Sequence, residues 1–314
     1  MNFFKSIFKR LCRRSQSEAL LALRQDFLAT VDIRRLPPAV GFLRDVQLAD
    51  VELLRETLRV AALVGAHPIM TGGGLIGIMR HNGGFIPWDD DIDLVLIREE
   101  YETFVDAFNA NCRPGFRAYY RYWKNICRIR IAHDALPRNT TISIFVFDRY
   151  WKALPTLKEK IAFRRLVDPV QTALAKRWKK EHFDVPQHKR LFDEYRHRDI
   201  LEGHASAPAA EKPALFYGAE LCVYRSSTSI AFDYDDIYPL RTSQFEGVPV
   251  AIPNHPETFL TYIYGDWGTF PGSLAAQHGS SEFSAEKALA LRSFLEHRSR
   301  SASAVDETPC VYSK

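Results

Sequence analysis

Between residues 42 and 65 the apolar positions Leu43, Val46, Leu54, Leu58, Ala61 and Val64 recur at helical spacing, which predicts one helix lying on a core. Gly65 ends it, and Pro37 and Pro38 separate it from the chain before. A short apolar run, Pro68 to Met70, then meets three glycines, Gly72, Gly73 and Gly74, and Leu75 to Met79 reads as a short helix after that turn. From Asp91 to Ile97 acidic and apolar residues alternate and then give way to an unbroken apolar run, the pattern of a buried strand. Helical spacing returns at Arg98 to Asn109, with Tyr101, Phe104, Val105 and Phe108 on one face as core. Strands are expected at 116 to 122, 126 to 131 and 141 to 147, where β-branched and aromatic residues sit between Gly, Pro and Asn breaks. Residues 155 to 199 are helical and basic, and 203 to 214 form a loop by composition. Near Asp236 a strand and turn pair precedes a short helix, Glu257 to Tyr264, which Gly265 closes. A last helix at 284 to 298 leads to a polar, Ser-rich tail. Helices mixed with strands in this order predict an α/β (α+β) fold, a mixed sheet flanked by helices.

Composition adds limits. The 314 residues are 46% hydrophobic and 25% charged, enough for one main domain with appendages. With 42 basic against 38 acidic residues the net charge is only +4, so nucleic acid is not expected as a partner. Five cysteines, Cys12, Cys112, Cys127, Cys222 and Cys310, are odd in number and widely spaced, which fits reduced thiols in a cytoplasmic protein better than a disulfide framework or a zinc site. No apolar run is long enough to span a membrane. Residues 1 to 14 place Phe3, Phe4, Ile7, Phe8 and Leu11 on one helical face, with Lys5, Lys9, Arg10, Arg13 and Arg14 largely elsewhere. That pattern suits a helix at the inner face of a membrane and equally one packed on a protein surface. The basic stretch from 155 to 199 also has two readings, a solvated helix face or a surface for an anionic acceptor or the membrane.

The chemistry concentrates between Met70 and Ile97. Asp89, Asp91 and Asp93 alternate at a spacing of two, so on a strand Asp91 and Asp93 share a face. Adjacent carboxylates repel unless a cation lies between them, and hard oxygen ligands select Mg²⁺ or Mn²⁺. Gly73 and Gly74 precede a helix and can bring backbone N–H groups to a phosphate. A metal and a phosphate cradle together describe a nucleoside diphosphate site. Arg80 either meets a diphosphate oxygen or pairs with an aspartate, while His81 is read as structural. On the alternating strand 126 to 131, Arg128 and Arg130 share a face.

The wording Gly73-Gly74-Leu75-Ile76-Gly77-Ile78-Met79-Arg80-His81, then Phe85-Ile86-Pro87-Trp88-Asp89-Asp90-Asp91-Ile92-Asp93, resembles the LicD/fukutin family. A second block, from Ile237-Tyr238-Pro239-Leu240 through Phe245-Glu246-Gly247-Val248-Pro249-Val250 to Tyr264-Gly265-Asp266-Trp267, is similar to the closing segment of the same family. The resemblance implies a nucleotidyltransferase-like core with a helical insertion and a C-terminal extension. We divide the chain into an amphipathic arm (1–35), the core (36–150), a basic helical insertion (151–235), the C-terminal part of the catalytic domain (236–282), and a helix with a disordered tail (283–314). It further implies transfer of a phospho-alcohol such as phosphocholine or ribitol phosphate from a CDP-alcohol donor to a glycan or lipid-linked glycan. Asp89, Asp91 and Asp93 would act as metal ligands and catalytic acids, Gly73, Gly74, Arg80 and Arg130 would hold phosphates, and Tyr264 and Asp266 would line the acceptor pocket. One position departs from the pattern. Where the family usually shows a third site Asp, in an Asp-Ile-Phe-Pro-Leu-Asp-like run, this chain has Ser143-Ile144-Phe145-Val146-Phe147-Asp148. Strand parity turns Asp148 to the face opposite Ser143, so either Asp89 takes the third role or the site is weakened. Nucleotidyl transfer and a catalytically silent scaffold are the competing readings.

Overall fold

In a computed structural model the chain is described over residues 26–28, 30–123, 126–150, 152–180, 190, 211–218, 220–221, 231–270 and 283–302. The arm at 1 to 14, most of the loop at 203 to 214, and the tail after residue 302 lie outside the described residues. Of the cysteines, the described Cys112 and Cys127 are free thiols, and Cys127 is buried.

Helix α1 (Phe42–Val64) forms where its stripe predicts and ends as Gly65 enters the left-handed region at φ 71°. Its inner face buries Val46, Ala49, Leu53, Leu54 and Val60 completely. Each leucine so buried contributes about 1.5–3 kcal/mol relative to exposure. The chain continues through β1 (Ile69–Thr71), α2 (Gly72–Arg80), β2 (Asp93–Ile97), α3 (Arg98–Asn111), β3 (Phe116–Trp123), β4 (Ile126–His133), β5 (Ile142–Arg149) and α4 (Leu157–Lys180). After α4 come β6 (Leu215–Tyr217), β7 (Ala231–Phe232), α5 (Tyr234–Ile237), β8 (Arg241–Phe245), β9 (Val248–Ile252), α6 (Pro256–Tyr264) and α7 (Ala285–Ala302).

The strands make one open mixed sheet in the order β3-β4-β5-β2-β1-β9-β8, with β6 pairing β5 and β7 pairing β6. Strand β2 runs parallel to β5 and antiparallel to β1, and β1 runs parallel to β9. Leu94, Val95 and Leu96 are all buried, as expected of a central strand covered on both faces. Helix α1 packs against both α3 and α7, and α2 packs with α6. Within the 151–235 segment β6 carries the sheet onward, and Phe232 of β7 stacks on Phe259 of α6 at 4.7 Å.

Three boundaries differ from the sequence expectation. Helix α2 starts at Gly72, so the glycines are its first turn rather than a turn ahead of it. Only Gly72 needs the left-handed backbone, at φ 61°; the absent side chains of Gly73 and Gly74 serve close packing. Strand β2 starts at Asp93, which leaves Asp91 in the incoming loop. The expected strand and turn pair after Asp236 forms as the hairpin β8–β9, but an unexpected short helix, α5, precedes it.

Candidate active site

The site forms where β1 ends, α2 begins and β2 begins. Thr71, the last residue of β1, pairs with Asp93, the first of β2, so Gly72 is bent over the acidic strand start. A Cβ at Gly72 would lie 3.0 Å from Asp93 Oδ2, and one at Gly73 only 1.9 Å from Asp89 Oδ2. Both carboxylates therefore rest on glycine backbone at the start of α2, a location that normally favours negative charge.

The connecting loop is fixed from two sides. Glu246, in the β8–β9 turn, accepts from the Phe85 N–H at 3.1 Å and from both Arg44 amino groups at 3.0 and 2.7 Å, while its own N–H donates to the Gly83 carbonyl at 2.7 Å. Gln47 of α1 donates from Nε2 to the Asp89 carbonyl at 2.9 Å and to the Ile86 carbonyl at 3.4 Å. A crevice of about 210 Å³, lined in part by Arg34, Arg44, Gln47, His81 and Phe85, adjoins this clamp.

So held, the loop brings one oxygen each of Asp89, Asp90 and Asp91 within 4.8 Å of one another. Sequence reading paired Asp91 with Asp93 by strand parity. With Asp91 outside the strand, the compact group contains Asp90, which is buried, and does not include Asp93. Asp93 instead lies beside Ser143 in the parallel register of β2 and β5. Arg130 on β4 is opposite Ser143 as well, and its Nη1 donates to Ser143 Oγ at 2.6 Å. Burial lowers the Arg130 guanidinium to about 10; neighbouring Arg128 adds to that, and Asp91 and Asp93 oppose it. Ser143 thus occupies the site position expected of a third acid and is fully buried there as a hydroxyl.

Asp50 escaped the sequence reading. It stands on α1 between Val46 and Leu54 at four-residue steps, in the middle of the apolar stripe, and it is fully buried. Neither carboxylate oxygen has a hydrogen-bond partner among the described residues. Burial pushes its carboxyl well above the usual range, Asp91, Asp90 and Asp89 push the same way, and Arg130 opposes them. An acid in an otherwise apolar stripe was the available signal. The all-oxygen donor set and the orphaned carboxyl fit a hard divalent cation.

The remaining predicted residues are placed as follows. Arg80 is buried, donates from Nη1 to the Trp267 carbonyl and from Nε to His81 Nε2 at 3.1 Å, and feels Asp89. His81 is held neutral down to about 4 by its burial and by Arg80, in keeping with a structural acceptor. Tyr264 is 48% exposed, and Asp266 is exposed and accepts from the Gly268 N–H at 3.2 Å. The segment after them does reach the loop, since Phe270 stacks on Trp88 at 5.9 Å. Asp148 is drawn away from the acidic group by Arg98, whose Nε and Nη2 donate to it at 2.6 and 2.8 Å; Arg98 also holds Glu220. Thr71 and the buried Tyr217 hydroxyl share a hydrogen bond of 2.8 Å at the edge of the site.

A mixed sheet flanked by helices, with a glycine-started helix beside clustered aspartates, makes an α/β domain with an acidic site at the start of α2. Residues 65–194 match the LicD/FKTN/FKRP nucleotidyltransferase domain, and this part of the chain belongs to that family. The chain is also similar to the lipopolysaccharide cholinephosphotransferase LicD of Haemophilus influenzae, at 26% identity over 220 residues, which are 64% of this chain and 81% of the relative. No helix among the described residues is long and apolar enough to cross a membrane.

Proposed function

We propose that this protein transfers a phospho-alcohol, with phosphocholine the first candidate, from a CDP-alcohol to a hydroxyl of a glycan or lipid-linked glycan. The observation that carries the reading is the convergence of Asp89, Asp90 and Asp91 next to the glycine start of α2, beside a buried carboxyl with no hydrogen-bond partner among the described residues. The relationship to a cholinephosphotransferase supports the choice of alcohol.

Asp89, Asp90 and Asp91 would hold Mg²⁺ or Mn²⁺, with Asp93 alongside. When bound, the metal would neutralise charge on the diphosphate and on the departing CMP. Gly73 and Gly74 lie in the first turn of α2, and their N–H groups would take phosphate oxygens. Arg130 adds positive charge from β4, and Arg80 stands close enough to Asp89 to do the same from the other end of α2. Asp89, Asp91 and Asp93 are only partly buried, so an acceptor hydroxyl can reach them, and one of them would take its proton as the hydroxyl attacks the phosphorus nearer the alcohol. Tyr264 and Asp266 are exposed at the end of α6 and would meet a bulky acceptor rather than the diphosphate. The enzyme would work in the cytoplasm, with residues 1 to 14 touching the inner face of the membrane when the acceptor is lipid-linked.

Ser143 in place of a third acid favours one competing reading, a silent scaffold that keeps the fold. Thermal melts with Mg²⁺ or Mn²⁺ and CDP-choline, CDP-ribitol, CDP-glycerol, CMP or ATP separate the readings, together with CMP release in the presence of acceptor. A metal-dependent rise in Tm with one CDP-alcohol, lost in Asp91→Ala, is expected. No response to any nucleotide would point to the scaffold; a response to ATP alone, with pyrophosphate released, would point to nucleotidyl transfer.

A further inference from the structure

We propose that Asp50 is a further acidic group of the cation site, supplying from helix α1 the carboxylate that Ser143 on β5 does not offer. The proposal rests on the metal-dependent reading above and specifies which residues complete it.

Ser143 adjoins Asp93, and its hydroxyl is engaged by Arg130 at 2.6 Å, so it contributes a neutral oxygen already in use. Asp50 feels the same charges from another element: Asp91, Asp90 and Asp89 disfavour its ionised form and Arg130 favours it. Its direction follows from α1. Gln47 lies one helical turn earlier on the same face and donates to the Asp89 and Ile86 carbonyls, and Arg44, a further turn back, is tied to Glu246. The face that grips the acidic loop at two points therefore presents Asp50 to it as well.

The burial is what demands a ligand. Asp50 is 0% exposed, and both its oxygens lack hydrogen-bond partners among the described residues, although Val46 and Leu54 beside it show that this position on the helix accepts an apolar side chain. A protein interior does not tolerate two unsatisfied carboxylate oxygens without compensation. A hard divalent cation among Asp89, Asp90 and Asp91 supplies that compensation, ligated by Asp50 directly or through one water. Asp50 also precedes residue 65, where the family match begins, so this acid enters from outside the matched segment.

The test is Mn²⁺ binding to the full chain, read from the loss of the free-ion paramagnetic resonance signal, for wild type, Asp50→Asn, Ser143→Asp and the double variant. Asp50→Asn is expected to weaken Mn²⁺ binding at least about tenfold while the metal-free protein melts within a few degrees of wild type. Ser143→Asp alone should change affinity less than about threefold, because Asp50 already supplies that carboxylate, yet it should restore most of the loss in the Asp50→Asn background. Wild-type affinity in Asp50→Asn would overturn the proposal. So would a tenfold gain from Ser143→Asp alone, which reads out even if Asp50→Asn does not fold. A wild-type chain that binds no Mn²⁺ would overturn the metal reading itself, which distinguishes that failure from the failure of Asp50's role.

Discussion

Gly73→Ala should separate stability from activity. The added Cβ would lie 1.9 Å from Asp89 Oδ2 and 2.9 Å from Asp89 Cγ, where ordinary contact begins near 3.4 Å. The carboxylate must therefore retreat by 3.4 − 1.9, about 1.5 Å. The backbone cannot follow, because Gln47 holds the Asp89 carbonyl at 2.9 Å and Glu246 holds the Phe85 N–H at 3.1 Å. The side chain alone has to turn, which takes it out of the group it forms with Asp90 and Asp91. Displacement of a catalytic group by about 1 Å costs roughly a hundredfold in rate, or about 2.7 kcal/mol of barrier. The helix meanwhile gains up to about 1 kcal/mol from Ala in place of Gly. Purified Gly73→Ala should thus melt at or slightly above the wild-type temperature while kcat/KM for CMP release from CDP-choline falls about a hundredfold or more. Gly74→Ala is the control, since its Cβ would meet Met70 Sδ at 2.5 Å and a thioether chain can swing aside. It should lose less than about tenfold. Gly73→Ala within threefold of wild type, or an equal loss in both variants, would refute the placing of Asp89 in the reacting group.

Two further predictions concern groups outside the reacting centre. Asp148→Ala removes one acid from the buried Arg98 pair and should cost about 3 kcal/mol in urea unfolding while the folded fraction keeps its transfer rate; lost activity in a folded variant would return Asp148 to the site. His81 is neutral in the native state down to about 4 but takes a proton near its ordinary 6.5 when unfolded. The unfolded state therefore binds more protons between those values, and stability falls as pH drops through that window, by less than about 1.4 kcal/mol per unit given partial exposure. His81→Gln should flatten the difference in urea midpoint between pH 7 and pH 5, and an unchanged slope would contradict the assignment.

Local periodicity made much of this protein readable before its structure. The stripe of α1, the glycine run, the acidic ladder and the alternation of β4 are patterns of neighbouring residues, and neighbouring residues set helix and strand. The place of Ser143 beside the acids was legible too, through resemblance, and the register of β2 with β5 sets it next to Asp93. Parity places Asp91 on the strand, whereas the strand begins at Asp93, where pairing with both β1 and β5 starts.

What tertiary structure decided is the site's third dimension. Glu246 fixes Phe85 across 161 residues of chain, and Gln47 fixes Asp89 across 42; no local pattern encodes such pairs. Asp50 is the sharpest case. In sequence it is one acid set into the apolar stripe of an amphipathic helix, a signal that does not say what it meets there. Only the packing of α1 onto the sheet removes it from solvent and sets it against Asp91 and Arg130, because burial and electrostatic company belong to the folded surface as a whole and not to any stretch of it.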